Sequence, residues 1–114
     1  MGLRQPEDER WFPHYHVVSR HFPGHLRDAH SGADLGASVL DVSRDGLGTL
    51  LPEPLKEGDQ VVLDFAERQI PMVVVHCHED LIHAGRYRCG LQRRKGCNDN
   101  LVSLLASRGM VEPE

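Results

Sequence analysis

The run Asp41-Val42-Ser43-Arg44-Asp45-Gly46-Leu47-Gly48 joins two apolar segments and combines polar side chains with turn-forming glycines. Alternation along a strand would place Asp41 and Ser43 on one face, with the valine between them on the other. The pattern predicts strands at 37–42 and 47–51, paired across a turn at 43–46. Gly46 would allow a positive φ, or a close approach of a ligand to the backbone. By itself, the run is also typical of an ordinary β-turn whose Asp and Ser side chains bond their own backbone.

The composition is that of one folded, acidic domain. The chain has 114 residues, of which 39% are hydrophobic and 26% charged, with a formal net charge of −4. This length allows a modest core in a single domain. Nucleic-acid-binding domains are usually basic, so we expect no nucleic-acid partner. One basic run without intervening acids is nevertheless present, formed by Arg86, Arg88, Arg93, Arg94 and Lys95.

Hydropathy and cysteine spacing predict a cytoplasmic protein. No apolar stretch approaches the ~20 residues that cross a bilayer. Residues 1–10 lack the apolar core of a signal peptide, so we expect no membrane insertion. Cys77, Cys89 and Cys97 are odd in number and lack C-x-x-C spacing, which predicts reduced thiols. The first two occupy strand positions that would face a core.

Short alternating segments indicate a mainly β fold. The predicted strands cover residues 15–22, 37–42, 47–51, 60–66, 72–75 and 84–92. Residues 24–36 are rich in Gly, His, Asp and Ser, and are predicted to form a loop or a short irregular edge. Six short strands at regular spacing predict a small antiparallel β-barrel.

The period of the pattern changes near the C-terminus. Leu101, Leu104 and Leu105 follow the i, i+3, i+4 spacing of an amphipathic helix. Such a helix has good capping residues, with Asn98 or Asp99 as the N-cap and Gly109 as the C′ residue. It would span about ten residues and would need to pack on the sheet or on a partner to be stable.

The predicted organisation has three parts. Residues 1–9 would form a flexible arm, since they lack periodicity. Residues 10–109 would form the β-barrel domain with its C-terminal α-helix, and residues 110–114 a tail.

Catalytic motifs are absent from the sequence, and a metal site is a separate alternative. Ser43 lacks a G-x-S-x-G context, and no phosphate loop ending in G-K-[ST] occurs, so we expect no enzyme activity. The pairs His14/His16 and His76/His78 are spaced i, i+2, which places both imidazoles of a pair on one strand face. These histidines could hold a metal ion or simply line the polar face of a sheet.

Two separated stretches resemble the motifs of the PilZ domain family. Arg10-Trp11-Phe12-Pro13-His14 precedes the first predicted strand, and Asp41-x-Ser43-x-x-Gly46 lies in the turn between the next two. PilZ domains share an R-x-x-x-R stretch, a [D/N]-x-S-x-x-G turn and a six-stranded barrel with a C-terminal helix. They are bacterial receptors for cyclic di-GMP. The resemblance extends from about residue 9 to the terminal helix and implies cyclic di-GMP as the ligand, with no cofactor.

The resemblance implies a role for each matched residue in binding cyclic di-GMP. Arg10 would grip a phosphate through two parallel hydrogen bonds. Asp41 would accept from the N1–H and N2–H groups of a guanine, with Ser43 beside it, and Gly46 would keep the turn open. His14 stands where the family has its second Arg, but it is shorter and only partly charged near neutrality. The lost charge-assisted contact would cost about 1.5–3 kcal/mol, or roughly 10–150-fold in affinity.

We therefore expect a cyclic di-GMP effector of weakened affinity that couples nucleotide binding to a protein partner. Binding should tighten as the pH falls from about 8 to 6, because His14 gains a proton, and His14→Arg should strengthen it. One alternative is a PilZ-like interaction module that no longer binds cyclic di-GMP and docks through its terminal helix or its basic run. The other is a metal-binding barrel that uses the histidine pairs.

Overall fold

One curled antiparallel sheet and a short helix form the fold of this computed structural model, which describes residues 14–18, 22–97 and 99–111. The elements in chain order are β1 (Tyr15–His16), β2 (His25–Asp28), β3 (Ser38–Val42), β4 (Gly46–Leu51), β5 (Gln60–Phe65), β6 (Arg68–Glu79), β7 (Tyr87–Arg93) and α1 (Leu101–Ala106). The strands pair in the order β1-β3-β4-β7-β6-β5-β2. The sheet curls into a half-barrel. The expected mainly β, antiparallel fold with a C-terminal helix is confirmed.

The described sheet has seven strands rather than six, because β2 lies in the segment 24–36 that was expected to be a loop. Its local pattern is weak, since only Leu26 is buried. Pairing with β5 over four residues forms the strand instead. Arg27 Nε also donates to Asp64 Oδ2 across this pair at 2.6 Å, and that hydrogen bond raises the pKa of the arginine.

Two strands, β1 and β6, differ in length from the expectation. Of the strand predicted at 15–22, residues 19–21 lie outside the described part of the chain, and in the rest the strand covers Tyr15–His16, followed by an isolated bridge between Val17 and Val111. β6 is much longer than the predicted 72–75, because it continues through polar residues that pair with β5 and then β7. The predicted arm at 1–9 and Trp11 lie outside the described residues.

The core fills the concave side of the sheet and is closed by α1. Alternate positions of the long strands point into it, including Val61, Leu63, Ile70, Met72, Val74 and Leu91. Leu101 and Leu105 of α1 are fully buried against this cluster, which confirms the amphipathic prediction. Among the described residues, no helix is long and apolar enough to cross a bilayer.

The helix is shorter than predicted and begins on a different cap. α1 has six residues, and Asn100 Oδ1 accepts from Ser103 N at 3.1 Å as the N-cap. Asp99 does not cap it, because its carboxylate binds Arg68 at 2.6 Å. Asn98 lies outside the described residues. Gly109 has the expected left-handed conformation, with φ of 72°, two residues after the C-cap.

The prediction of reduced thiols is wrong for two of the three cysteines. Cys77 on β6 and Cys89 on β7 are directly paired across the strands, with Cα atoms 4.1 Å apart, and form a disulfide. Spacing along the chain gave no sign of this bond, because strand register brings the two residues together. Cys97 is a free, half-buried thiol.

Candidate functional site

A cavity of about 280 Å³ opens on the convex side of the sheet at the 43–46 turn. Strand register builds its floor from a row of directly paired residues, in which Gly48 of β4 faces Gly90 of β7. Asp41 of β3 flanks the row on one side and His76 of β6 on the other. We call Asp41, Gly48, Gly90 and His76 the floor row. Two adjacent strands therefore carry no side chain in its middle.

The flanking side chains use the space that the glycines leave. A Cβ added at Gly48 would lie 2.5 Å from Asp41 Oδ1, and one added at Gly90 would collide with His76 Nε2. The Asp41 carboxylate and the His76 imidazole thus lie over the two glycines. The floor row therefore presents an anionic acceptor at one end and an imidazole ring at the other, each of which covers a glycine. A flat ring bound in the cavity could contact both groups.

The turn that supplies the other cavity residues is tightly closed. Ser43 N donates to Gly46 O at 2.9 Å, and Ser43 is only 7% exposed. Gly46 does not use a positive φ. A side chain is excluded there because a Cβ would collide with the carbonyl oxygen of Leu91 on β7. Gly46 is therefore needed for strand packing beneath the turn, in addition to any access that it gives a ligand.

Two further contacts fix the turn to the rest of the fold. Arg93 of β7 donates from its backbone to Asp45 O at 2.8 Å and from its guanidinium to the Asp45 carboxylate at 2.5 Å. Leu101 N, at the start of α1, donates to Arg44 O at 3.0 Å. A displacement of the turn would therefore move the carbonyl oxygen to which Leu101, the first residue of the helix, donates its hydrogen bond.

Of the two residues predicted in the N-terminal motif, the described part of the chain includes one. His14 lines the cavity with a half-exposed ring whose Nδ1 lies 3.5 Å from Asp41 Oδ1. The structure thus brings together four predicted site residues: His14, Asp41, Ser43 and Gly46. Arg10 lies outside the described residues, and its place in the site stays a prediction.

Arg88 and His76 are cavity residues that the site prediction missed. His76 was singled out only as half of a histidine pair, and Arg88 only as part of a basic run. Their link to the turn comes from long-range pairing of β7 with β4 and β6.

Arg88 also contacts a buried carboxylate in the β6–β7 loop. Its Nε lies 3.4 Å from Asp80 Oδ1, and Asp80 is only 7% exposed. His83 donates from its backbone to Asp80 Oδ2 at 2.8 Å, and its ring Nδ1 lies 2.6 Å from the same oxygen. The hydrogen bonds from His83 are the main reason that the pKa of Asp80 is lowered, and the charge of Arg88 adds to the effect. These contacts join the β6–β7 loop to Arg88 of β7 next to the cavity.

The histidine pairs do not assemble into a metal centre in the described part of the chain. The His76 and His78 rings stack with centroids 5.8 Å apart. Within the described ranges, no three His, Cys, Asp or Glu side chains converge on a point that could hold an ion. His76 instead belongs to the cavity.

Comparison with models of protein families identifies a family for this chain. The model of the PilZ domain family matches residues 7–105. No match was found among curated proteins.

Two solved structures share the fold. The PilZ domain of YcgR from Escherichia coli, solved with c-di-GMP, superposes with a TM-score of 0.60 at 14% identity, over 89% of this chain and 94% of that one. The structure of MrkH from K. pneumonia in complex with c-di-GMP superposes on this chain with a TM-score of 0.63 at 18% identity, over 95% of this chain. This chain spans about half of MrkH, or 52% of its length.

Proposed function

The chain belongs to the PilZ domain family, and on that premise we propose that it is a receptor for cyclic di-GMP rather than an enzyme. The observation that carries the proposal is the cavity at the intact Asp41-x-Ser43-x-x-Gly46 turn, whose floor presents the Asp41 carboxylate and the His76 ring over Gly48 and Gly90. Both solved neighbours are structures with c-di-GMP. We place its action in the bacterial cytoplasm, where this messenger signals.

The chemistry of the cavity suits a guanine. The Asp41 carboxylate accepts hydrogen bonds only, and a guanine edge presents the N1–H and N2–H donors that it requires. Gly48 and Gly90 leave the space in which the Asp41 carboxylate and the His76 ring lie, so that both polar groups would face the base. Ser43, at the side of the cavity, can donate to or accept from the same base.

Three cations would share the phosphates of the ligand. Arg10 and His14 belong to the N-terminal motif, and Arg88 lines the cavity from β7. An arginine can hold a phosphate through two parallel bonds, whereas His14 offers one donor and carries a full charge only when protonated. We therefore expect weakened affinity relative to a domain with two motif arginines.

Nucleotide binding would reach a protein partner through α1. A ligand that orders the turn also orders Arg44 O, which accepts from the first helix residue, and Asp45, which binds Arg93. Both contacts join the turn to the C-terminal part of the chain. A partner that binds the exposed face of α1 would sense the occupied site.

Calorimetric titration with cyclic di-GMP tests the proposal. We expect saturable heat, together with NMR shifts of the amides of Ser43, Gly48 and Gly90. Asp41→Asn should weaken binding by roughly 10–150-fold through loss of a charged acceptor. Glu53→Gln, an exposed change away from the cavity, should bind like the unchanged chain.

The competing function is an interaction module that has lost its ligand. His14 in place of an arginine is the observation that favours it. Absence of both heat and NMR shifts at millimolar cyclic di-GMP would reject the receptor proposal and select this alternative.

A further inference from the structure

The disulfide lies directly beneath the floor of the cavity. Cys89 is fully buried and lines the cavity together with its neighbours Arg88 and Gly90, although successive residues of a strand point their side chains to opposite faces. Cys77 likewise follows the floor residue His76. The Cys77–Cys89 bond therefore joins β6 and β7 one residue away from the pair His76 and Gly90.

The same part of β6 contains an irregularity. Val74 pairs with Leu91, but the next pair joins His76 to Gly90, so one extra residue of β6 is accommodated between them. A β-bulge leaves its extra residue unpaired and disrupts the ladder of hydrogen bonds locally. The disulfide fixes the register immediately after the bulge and so keeps the His76 ring over Gly90.

We propose that Cys77 and Cys89 are a reversible redox pair that controls the floor of the ligand cavity. In the disulfide form the His76–Gly90 pair is held ready for the ligand, whereas in the dithiol form β6 can shift at the bulge and His76 leaves its place. The effect on nucleotide binding rests on the proposed function, but the effect on the floor does not. Cytosolic disulfides are usually transient and redox-sensing, which suits a bond placed at a binding site.

The chemistry needs an oxidant of the low-molecular-weight disulfide class, such as oxidised glutathione. Cys77 is half-buried and Cys89 fully buried, so the Cys77 thiolate attacks first and displaces one glutathione thiolate to form a mixed disulfide. The Cys89 thiolate then attacks the Cys77 sulfur and releases the second glutathione. The protein loses two protons and two electrons, and the small disulfide becomes two thiols.

Cys97 provides a matched background, because it is the third cysteine and lies outside the cavity and the disulfide. Cys97→Ser chain equilibrated with oxidised glutathione should lose the mass of two hydrogen atoms relative to the same chain in dithiothreitol. Without nucleotide, the amide signals of His76 and Gly90 should differ between the two states. Cyclic di-GMP should bind the oxidised state roughly three- to tenfold more tightly, since preorganisation lowers the cost of binding.

Replacing Cys77 removes the pair. Cys77→Ser or Cys77→Ala, each in the Cys97→Ser background and checked for folding by circular dichroism, should bind equally under both redox conditions. The proposal is overturned if the disulfide never forms in the glutathione buffer. It is also overturned if the bond forms while the His76 and Gly90 signals stay unchanged. If neither state binds cyclic di-GMP, the receptor proposal fails, and those two amide signals alone decide whether the redox pair controls the floor.

Discussion

Adding a single methyl group at Gly48 of the floor row should weaken ligand binding without lowering the stability of the fold. In Gly48→Ala the new Cβ would lie 2.5 Å from Asp41 Oδ1, whereas ordinary contacts begin at 3.4 Å. The carboxylate must therefore move by about 1 Å or rotate away. The atom that moves is the end of a side chain, so the strand itself can stay in place.

The expected loss of affinity follows from that displacement. A hydrogen bond fails when donor and acceptor separate by more than a few tenths of an ångström beyond their normal distance. Loss of one contact to the charged Asp41 should cost about 1.5–3 kcal/mol, or roughly 10–150-fold in the Kd for cyclic di-GMP. Stability should stay level or rise by up to about 1 kcal/mol, because alanine loses less conformational freedom than glycine when a strand forms.

Calorimetry and urea denaturation of the same samples measure the two effects. Asp41→Ala provides the matched background, since it removes the group that the methyl displaces. If Gly48→Ala acts only by displacing Asp41, adding it to Asp41→Ala should weaken binding little further. A larger additional loss would mean that the base itself rests on Gly48. A folded Gly48→Ala chain that binds as tightly as the original would refute the assignment of the floor row as the ligand site.

Three further predictions concern His14 at the cavity, the β6–β7 loop and α1. His14→Arg should tighten cyclic di-GMP binding by on the order of tenfold, measured by calorimetry, because an arginine offers two parallel bonds to a phosphate; unchanged affinity would show that this residue does not face the phosphates. In the folded state the pKa of Asp80 is lowered from its ordinary value of 3.8. The ionised carboxylate therefore stabilises the fold above that pH, and this contribution is lost as the pH falls through the folded-state pKa. Asp80→Asn should therefore flatten the acid limb of a plot of urea midpoint against pH, and identical limbs would contradict the role assigned to the loop. Leu105→Ala should lower the free energy of unfolding by roughly 2–5 kcal/mol, because the side chain is fully buried; the exposed Ser103→Ala change should have a smaller effect.

The coupling between ligand and floor depends on strands that lie far apart in the sequence. Asp41 and Gly48 are close along the chain, and one hairpin brings them together. Gly90 and His76 join them only through β7, which pairs with β4 on one side and β6 on the other. The half of the site on β3 and β4 was therefore open to prediction, and the half on β6 and β7 was not.

Local periodicity by itself determined several features of this protein. Alternation predicted the β3–β4 hairpin, and the leucine spacing predicted the face of α1 that packs on the core. These signals depend on neighbours within a few residues, so they are visible in the chain alone. The Asp41–Gly46 turn and the Arg10–His14 stretch indicated the family and the candidate ligand, because each of these motifs also lies within a few residues of the chain.

Only the tertiary structure decided the features that depend on register between distant strands. β2 forms because β5 pairs with it, although its own pattern is weak. The disulfide forms because Cys77 and Cys89 are opposed on β6 and β7. The cavity floor exists because Gly48 and Gly90 face each other between Asp41 and His76, which is a consequence of sheet order that no local pattern encodes.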